Sequence, residues 1–271
     1  MIIRKREFDF KNNAYIMGIL NVTPDSFSDG GKYDEIDKAI QKAKEMISEG
    51  ADIIDIGGES TRPGHTPISA EEEINRVVPV IKAIRNFSDC VISIDSYKSE
   101  TLEAAFQSGA DIANDIWGLV KDPLMTDIIK KYEVPVIIMH NKEDNLYDNL
   151  IEDMINQIKN SIRIAKSKGI HDDKIIIDPG IGFALSYEKD LIVLNNLERF
   201  TELGYPVLLG TSRKRFIGKA TDVEIASDRI IGTCATTVLG RIKGASLFRV
   251  HDIKENLQAL KMTDAILREG R

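Results

Sequence analysis

Polar side chains that could bind a flat, charged ligand recur at the ends of short apolar segments of this sequence. Asp95 ends VISID, Asn114 ends DIAN, Asp178 ends KIIID, Arg249 lies in SLFRV, and Lys214 closely follows PVLLG. A carboxylate accepts two parallel N–H bonds from an aminopyrimidinone edge, and an asparagine donates and accepts at once. A lysine donates to a ring carbonyl or nitrogen, and an arginine stacks on a ring while still facing an anion. These residue types indicate a pocket for a heterocycle rich in donors and acceptors.

A second group of side chains has the chemistry to hold an anion. Asn21 ends IMGILN, Thr61 and Arg62 lie in GGESTRPG, and His251 lies in RVHD. Side chains of these types donate hydrogen bonds to phosphate or pyrophosphate. The Ser-Thr-Arg run is a weak signal by itself, because an arginine in a loop is usually solvated. Together with the first group, these residues predict a ligand that carries an anionic group beside its ring.

The elements that must position these side chains form a repeated pattern of strands and helices. Near-continuous apolar segments are typical of parallel strands buried on both faces, and helix-period stretches fill the intervals between them. Eight such units predict a (β/α)8 barrel of the TIM type, whose active site lies at the strand C-termini. Strands are expected near residues 15–21, 52–57, 91–95, 110–115, 134–139, 174–178, 206–210 and 245–250. Helices are expected near residues 34–49, 70–86, 99–108, 122–132, 148–168, 187–200, 227–243 and 252–267.

Strand alternation allows the candidate residues to share one face. Side chains two residues apart point the same way, so Asp95, Asn114, Asp178 and Arg249 can all point into the barrel mouth. Their aliphatic neighbours would then pack against the helices. The alternative is that each polar residue caps the next helix. Matching parity on four strands favours the binding site, since buried charges without partners are costly and a ligand is a natural partner.

Local signals mark the ends of the predicted helices and two unusual loops. Gly50, Gly109 and Gly169 follow helix C-termini, where a left-handed residue is favoured, and Ser69 with Glu72 forms a capping box. The loops at 22–33 and 58–69 are long and rich in Gly and Pro. Long loops within a compact fold are often functional lids. His140 is expected to make a helix-capping or loop contact.

Size and composition are those of one ordinary soluble domain. The 271 residues suit a single barrel, whose usual size is roughly 250 residues, and no linker divides residues 1–271. The net charge of −7 argues against a nucleic-acid surface. The N-terminus is not a signal peptide, and no apolar run approaches the ~20 residues that span a membrane. A cytoplasmic protein is expected, in which Cys90 and Cys234 are buried, reduced thiols.

Seven stretches of the sequence together resemble one known family. They are ILNVTPDSFSDGG, DIGGESTRPG, SIDSYK, ANDI, DPGIGFA, GTSRKRFIG and RVHD. In their order and their extent from the first strand to the eighth, they resemble the dihydropteroate synthases of the folate pathway. The resemblance implies a transferase that joins p-aminobenzoate to 6-hydroxymethyl-7,8-dihydropterin pyrophosphate, releasing 7,8-dihydropteroate and pyrophosphate. It also implies a target of sulfonamides.

The resemblance implies a role for each candidate residue. Asp178 would hold the amino-pyrimidinone edge, Asn114 the opposite ring nitrogens, and Lys214 the carbonyl and a ring nitrogen. Asp95 would lie near the dihydro ring and Arg249 would stack on it, so that Asp95, Lys214 and Arg249 form the catalytic group. The remaining implied contacts are Phe183 and Met139 to the pterin, Asn21, Arg62, Arg249 and His251 to pyrophosphate, Mg2+ held near Asn21, and Phe27, Thr61 and Pro63 to p-aminobenzoate.

One position departs from the family, and two other functions stay open. Arg215 follows the lysine where some members have a serine that touches the p-aminobenzoate carboxylate, so this contact is left unassigned. A methyltransferase acting on methyltetrahydrofolate would share a pterin site without needing the anion-binding residues. A non-catalytic pterin-binding protein would be indicated by loss of Asn21, Asp95, Lys214 or Arg249, and all four are present.

The last two predicted helices carry more apolar residues than one barrel face obviously needs. The resemblance implies a homodimer through this side. The alternative is that these residues simply pack on the barrel. They are Ile230, Ile231, Val238, Leu239, Leu257, Leu260 and Ile266.

Overall fold

The chain forms a short hairpin followed by a ring of eight parallel strands. The computed structural model describes residues 1–23, 32–60, 66–183 and 185–270, with the backbone alone for residues 32–35. The hairpin is β1 (Ile2–Ile3) and β2 (Arg6–Glu7), and the ring is β3 (Tyr15–Asn21), β4 (Ile53–Gly57), β5 (Val91–Asp95), β6 (Ile112–Asp115), β7 (Val136–Met139), β8 (Ile175–Asp178), β9 (Leu208–Leu209) and β10 (Leu247–Val250).

The ring closes on itself in the order β8-β7-β6-β5-β4-β3-β10-β9. The first barrel strand, β3, pairs with β4 on one side and with β10 on the other, where Met17 lies opposite Arg249. A parallel bridge between Ile177 and Val207 joins β8 to the segment that leads into β9. The predicted (β/α)8 barrel is confirmed.

Helices pack around the outside of the ring, and two of them differ from the prediction. The helix expected at 187–200 is divided at Asn196. The side-chain amide and the backbone N–H of Asn196 both donate to the carbonyl oxygen of Ile192, which ends the first part. A further short helix follows β9, and seven residues are too few to give a clear periodic signal. The helices are α1 (Lys32–Glu49), α2 (Ala70–Arg85), α3 (Ser99–Gln107), α4 (Met125–Tyr132), α5 (Leu150–Ser167), α6 (Tyr187–Asn195), α7 (Glu198–Thr201), α8 (Arg215–Thr221), α9 (Ile230–Ile242) and α10 (Ile253–Glu269).

The predicted helix-end signals are present. Gly50, Gly109 and Gly169 adopt φ values of 101°, 110° and 82°, the left-handed conformation that ends a helix with least strain in glycine. The Ser69 hydroxyl accepts the backbone N–H of Glu72 at 3.1 Å and caps α2.

Strand alternation divides the barrel into an outer core under the helices and an apolar layer inside the ring. The inner layer is closed at the N-terminal end by Phe8 and Phe10, and the Phe8 ring lies 4.7 Å from that of Tyr15. Polar residues at the opposite end therefore lie above an apolar floor. The inner layer consists of Tyr15, Met17, Ile53, Val91, Ile112, Ile137, Ile176, Leu208 and Leu247.

Two further expectations concern the environment of the chain. Within the described residues, no helix has the length and apolar character needed to cross a membrane. Cys90 and Cys234 are free thiols, as expected. Both are only partly buried, so the prediction that they are buried was wrong.

Candidate active site

Four strands bring their predicted polar residues to the mouth of the barrel. Asp95 and Asp178 are buried at the ends of their strands, and Asn114 and Arg249 lie one residue before the ends of β6 and β10. Asn114, Asp178 and Arg249 continue the inner face directly above apolar floor residues, whereas Ser93 lies between Asp95 and Val91 of the floor. The alternative of helix capping was wrong, since the residues at the N-caps of the following helices are Lys98, Leu124, Ser186 and Asp252.

Arg249 is held between two carboxylates on neighbouring strands. Its Nε donates to Oδ2 of Asp55 and its Nη2 to Oδ2 of Asp95, both at 2.6 Å. Burial by itself would lower the pKa of the guanidinium, but Asp55 and Asp95 outweigh burial and raise it. Asp55 was not predicted, although its parity with Gly57 at the end of β4 could have revealed it. The arginine is charged and oriented before any ligand is bound.

Asp95 has one oxygen engaged by Arg249 and one oxygen without a partner among the described residues. The partnerless atom, Oδ1, is buried. Burial raises the pKa of Asp95 to about 7, with Arg249 opposing the rise and Asp55 adding to it. A buried acceptor without a partner is costly, so this oxygen is expected to face a ligand.

Asp178 is oriented by the turn that follows β8. Its Oδ1 accepts the backbone N–H of Gly180 at 2.7 Å. Gly180 has φ of 71°, and a Cβ there would lie 2.0 Å from the carbonyl oxygen of His140, so only glycine fits. Burial raises the pKa of Asp178, while Lys214 and the Gly180 N–H act in the opposite direction. Gly210 lacks a side chain beside Oδ2 of Asp178 and so leaves room for a ligand.

Lys214, at the N-terminus of α8, reaches the neighbouring loop that follows β8. Its Nζ donates to the carbonyl oxygen of Ile181 and lies 4.6 Å from the ring centroid of Phe183. Gly182 makes this approach possible, because a Cβ there would lie 2.5 Å from Cδ of the lysine. Burial lowers the pKa of Lys214 to about 8, against the effect of Asp178. Lys214 is therefore mostly protonated at neutral pH.

The anion-binding candidates lie on the side of β3 and β10, which are adjacent strands. Asn21 ends β3, and its Oδ1 lies beside Gly57. A Cβ added to Gly57 would lie 3.8 Å from Oδ1 of Asn21 and 3.7 Å from Oδ2 of Asp95. His251 follows β10, and Ser212 lies 3.0 Å from its Nδ1 and accepts its backbone N–H at 3.1 Å. The mouth thus has an arginine, an amide and a histidine on one side.

The remaining predicted contacts are only partly described. Met139 is buried at the end of β7, on the inner face with Ile137. The predicted contacts of Phe27, Thr61, Arg62 and Pro63 lie outside the described residues.

The described ends of the second long loop meet in a buried network that was not predicted. Glu59 accepts the hydroxyl of Tyr97 at 2.8 Å, Nζ of Lys98 at 2.5 Å and the backbone N–H of Ile68 at 3.3 Å. Lys98 also donates to Glu73 of α2 at 3.0 Å. Residues on both sides of the loop are thereby tied to the turn that follows β5.

His140 makes the expected loop contact, since its ring centroid lies 5.9 Å from that of Tyr147 in the loop before α5, but it does not cap a helix. The residue that caps α5 is Asn149, and His140 is buried, with both ring nitrogens lacking a partner among the described residues. Burial and then Lys142 lower its pKa to about 4, so the imidazole is neutral. Since Met139 points into the barrel, His140 points away from the mouth.

The mouth suits a divalent cation that is bound chiefly through a ligand. In the part of the chain that the structure describes, no cluster of three or more His, Cys, Asp or Glu side chains forms a metal site. Mg2+ that coordinates substrate phosphates needs only one or two protein oxygens and keeps several waters. The amide oxygen of Asn21, beside the Asp95 carboxylate, fits that requirement.

Known proteins similar to this chain agree with one another. The family model described as pterin binding enzyme matches residues 17–251. The dihydropteroate synthase of Clostridium beijerinckii is 55% identical over 269 residues, covering 99% of this chain and 100% of that protein. That of Bacillus subtilis is 51% identical over 261 residues, covering 96% and 91%.

Solved structures give the same result. Dihydropteroate synthase from Clostridium difficile, crystallised in the presence of pteroic acid, has a TM-score of 0.94 and 51% identity, covering 97% of this chain and 100% of that one. The Xanthomonas albilineans dihydropteroate synthase with 4-aminobenzoic acid has a TM-score of 0.92 and 40% identity, covering 95% and 94%.

Proposed function

We infer the reaction of this chain from its family. The chain belongs to the dihydropteroate synthase family of pterin-binding enzymes, which are transferases. It joins p-aminobenzoate to 6-hydroxymethyl-7,8-dihydropterin pyrophosphate, and the products are 7,8-dihydropteroate and pyrophosphate. The observation that supports this proposal is that five polar side chains converge at one end of the barrel. They are Asp95, Asn114, Asp178, Lys214 and Arg249.

The pterin ring is held edge-on by the β8 side of the mouth. Asp178 accepts from the amino-pyrimidinone edge, Lys214 donates to the ring carbonyl and a ring nitrogen, and Asn114 meets the opposite nitrogens. Phe183 and Met139 supply apolar contact. Support comes from the fixed geometry, because Asp178 is already oriented by Gly180 and Lys214 by the carbonyl of Ile181.

Catalysis consists mainly of stabilising charge as the C–O bond to pyrophosphate breaks. The methylene becomes positive, and its charge spreads into the pterin ring. Asp95 lies where a fixed carboxylate would stabilise that cation, and the plane of Arg249 stacks on the ring. The amine nitrogen of p-aminobenzoate attacks the methylene as the C–O bond to pyrophosphate breaks, and the proton lost from nitrogen passes to solvent. Since an arylamine is only weakly basic, positioning contributes more than proton abstraction.

The leaving pyrophosphate is bound on the β3 and β10 side. Arg249 and His251 donate to its oxygens, with Arg62 as a further proposed donor. Asn21 would hold Mg2+, and the bound ion would neutralise the negative charge that develops on the leaving oxygen. These anion-binding residues distinguish the synthase from a methyltransferase, whose substrate carries no pyrophosphate.

A pyrophosphate-release assay tests the reaction. Enzyme with the pterin pyrophosphate and Mg2+ is expected to release pyrophosphate rapidly when p-aminobenzoate is added, with 7,8-dihydropteroate formed in equal amount. Asp178→Asn provides the control, since it keeps the shape of the side chain but is expected to bind the pterin weakly. Absence of 7,8-dihydropteroate, or transfer of a methyl group from methyltetrahydrofolate, would contradict the assignment.

The pH dependence of kcat/KM is expected to be bell-shaped, with limits at about 7 and about 8. The pKa of Asp95 is raised and its ionised form is the active one, so activity is lost as pH falls below about 7. The pKa of Lys214 is lowered and its protonated form is the active one, so activity is lost as pH rises above about 8. Each limb should approach about tenfold per pH unit.

Two substitutions assign these limbs. Asp95→Asn should remove the acidic limb from the residual activity, and Lys214→Arg should shift the alkaline limb upward, because arginine stays protonated. A profile that keeps both limbs in both variants would assign the titrations to other groups.

Binding of p-aminobenzoate is expected to depend on the other substrate. The described polar groups of the mouth are assigned to the pterin and pyrophosphate, so the proposed pocket for p-aminobenzoate is built by Phe27, Thr61 and Pro63. We expect pterin with Mg-pyrophosphate to strengthen p-aminobenzoate binding by ~1–3 kcal/mol, a usual size for coupling between sites. Equilibrium titration with and without these ligands measures it, and equal affinities would exclude the coupling.

The proposed assembly is a homodimer through α9 and α10. Leu260 is buried and Leu257 packs on the core, as the alternative required. Ile231, Ile242, Met262 and Ile266 nevertheless remain exposed, and Ile231 is 84% exposed. Light scattering should give twice the mass of one chain, and Ile231→Lys should reduce it.

A further inference from the structure

Asp55 is a fully buried carboxylate that faces the polar layer of the mouth. It lies in the middle of β4, on the inner face between Ile53 of the apolar floor and Gly57 at the strand end, and its relative exposure is 0%. Besides Nε of Arg249, its partner is Nδ2 of Asn114, which lies 3.3 Å from both of its oxygens. Among the described residues, its side-chain partners are therefore two groups assigned to the ligand.

Asp55 fixes the plane of the arginine. Guanidinium N–H groups lie in one plane, so bonds from Nε to Asp55 and from Nη2 to Asp95 define that plane completely. Loss of the Asp55 bond would leave Arg249 free to rotate about the remaining one. Asp55 therefore sets the direction of the guanidinium face that Arg249 presents to a ligand ring.

Asp55 also fixes the orientation of an amide. An ionised carboxylate only accepts hydrogen bonds, so Asn114 must turn its nitrogen toward Asp55 and its oxygen away. The opposite orientation would bring the amide oxygen against the oxygens of Asp55. The donor and acceptor that Asn114 offers to a ligand are therefore defined in the free protein.

These two contacts extend across a large part of the barrel. In the sheet, β4 lies two strands from β6, which carries Asn114, and two strands from β10, which carries Arg249. We propose that Asp55 is a positioning residue, which orients Arg249 and Asn114 for the pterin through one buried carboxylate. The proposal rests on the proposed function, since it assumes that both side chains meet the pterin.

The first test is Asp55→Asn. Asparagine keeps the shape of the side chain, but its amide nitrogen donates, so only one oxygen is left to accept from Arg249 and Asn114. Pterin affinity, measured by calorimetry, is expected to fall about tenfold or more, the usual effect of losing a charge-assisted hydrogen bond. Asp111→Asn is the matched control, because Asp111 is also buried and paired with Arg85, but at the opposite end of the barrel. It should affect stability without changing pterin affinity.

A double-mutant cycle separates positioning from general destabilisation. If Asp55 acts through Asn114, the loss from Asp55→Asn will be clearly smaller in an Asn114→Ala background than in the unsubstituted protein. Unchanged pterin affinity in a folded Asp55→Asn protein, or losses that simply multiply in the cycle, would overturn the proposal.

A second measurement does not require Asp55→Asn to fold. In the unsubstituted, ligand-free protein, hydrogen exchange at Nε of Arg249 is expected to be at least about tenfold slower than at the exposed Arg163. The signal is assigned by its loss in Arg249→Lys. Exchange as fast as at Arg163 would show that the guanidinium is not held, and would overturn the proposal. Failure of the unsubstituted protein to bind pterin would count against the proposed function, whereas the exchange result is obtained without ligand.

Discussion

Replacing Asp178 with alanine is expected to weaken pterin binding by ~2–4 kcal/mol, roughly 30- to 700-fold in Kd. The carboxylate is proposed to accept two N–H bonds from the pterin edge, and charge-assisted bonds in a water-excluded pocket are the strong ones. Since Asp178 is buried on an apolar floor, water cannot readily replace it as an acceptor. Isothermal calorimetry with the pterin measures the loss directly.

A matched variant separates recognition from local structure. Asp178→Asn keeps an oxygen that can accept the backbone N–H of Gly180, but presents a donor where the pterin also donates. Its loss of affinity should therefore be as large as that of Asp178→Ala. If either folded variant bound pterin within about threefold of the unsubstituted protein, roughly 0.65 kcal/mol, the assignment of Asp178 would be wrong.

Asp95→Asn is expected to reduce kcat by roughly 10²-fold or more while changing pterin affinity much less. Asp95 is proposed to stabilise a cation that exists only during the reaction, so its charge affects the transition state more than the bound substrate. Asparagine keeps the shape and can still accept from Nη2 of Arg249. Steady-state rates combined with calorimetric affinities separate the two effects.

The opposite pattern would assign Asp95 a different role. Equal losses in affinity and in turnover would indicate a residue that binds the pterin in its ground state. Asn114→Ala provides a comparison, because Asn114 is proposed to bind the ring without meeting developing charge. It should affect affinity more than kcat.

The barrel and much of its mouth could be predicted because the necessary signals are local. A buried strand is an apolar run, and parity within the run predicted that Asp95, Asn114, Asp178 and Arg249 share the inner face. Asp55 was missed because it stands in the middle of ADIIDIG. Its importance depends on partners that lie far away in sequence, and no local pattern records those contacts.

The same limit explains the other omissions. The network of Glu59, Lys98 and Glu73 joins three separate segments, so its members look like ordinary charged residues in the sequence. The turn around Gly180 shows the reverse case, because DPG is visible in the sequence. The clash that makes this glycine necessary, 2.0 Å between a Cβ and the carbonyl oxygen of His140, involves a residue that follows another strand.

The pairing of β3 with β10 has a consequence for how the protein is made. At ~5–20 residues per second, a ribosome needs on the order of ten to fifty seconds to proceed from the first barrel strand to the last. Throughout that time β3 has an unpaired edge, which favours association with other chains. The carboxylates of Asp55 and Asp95 meanwhile lack the arginine that balances them. When β10 is added beside β3, it closes the ring and brings Arg249 between them, so the nascent chain gains its protection from aggregation and its charge-balanced mouth in the same step.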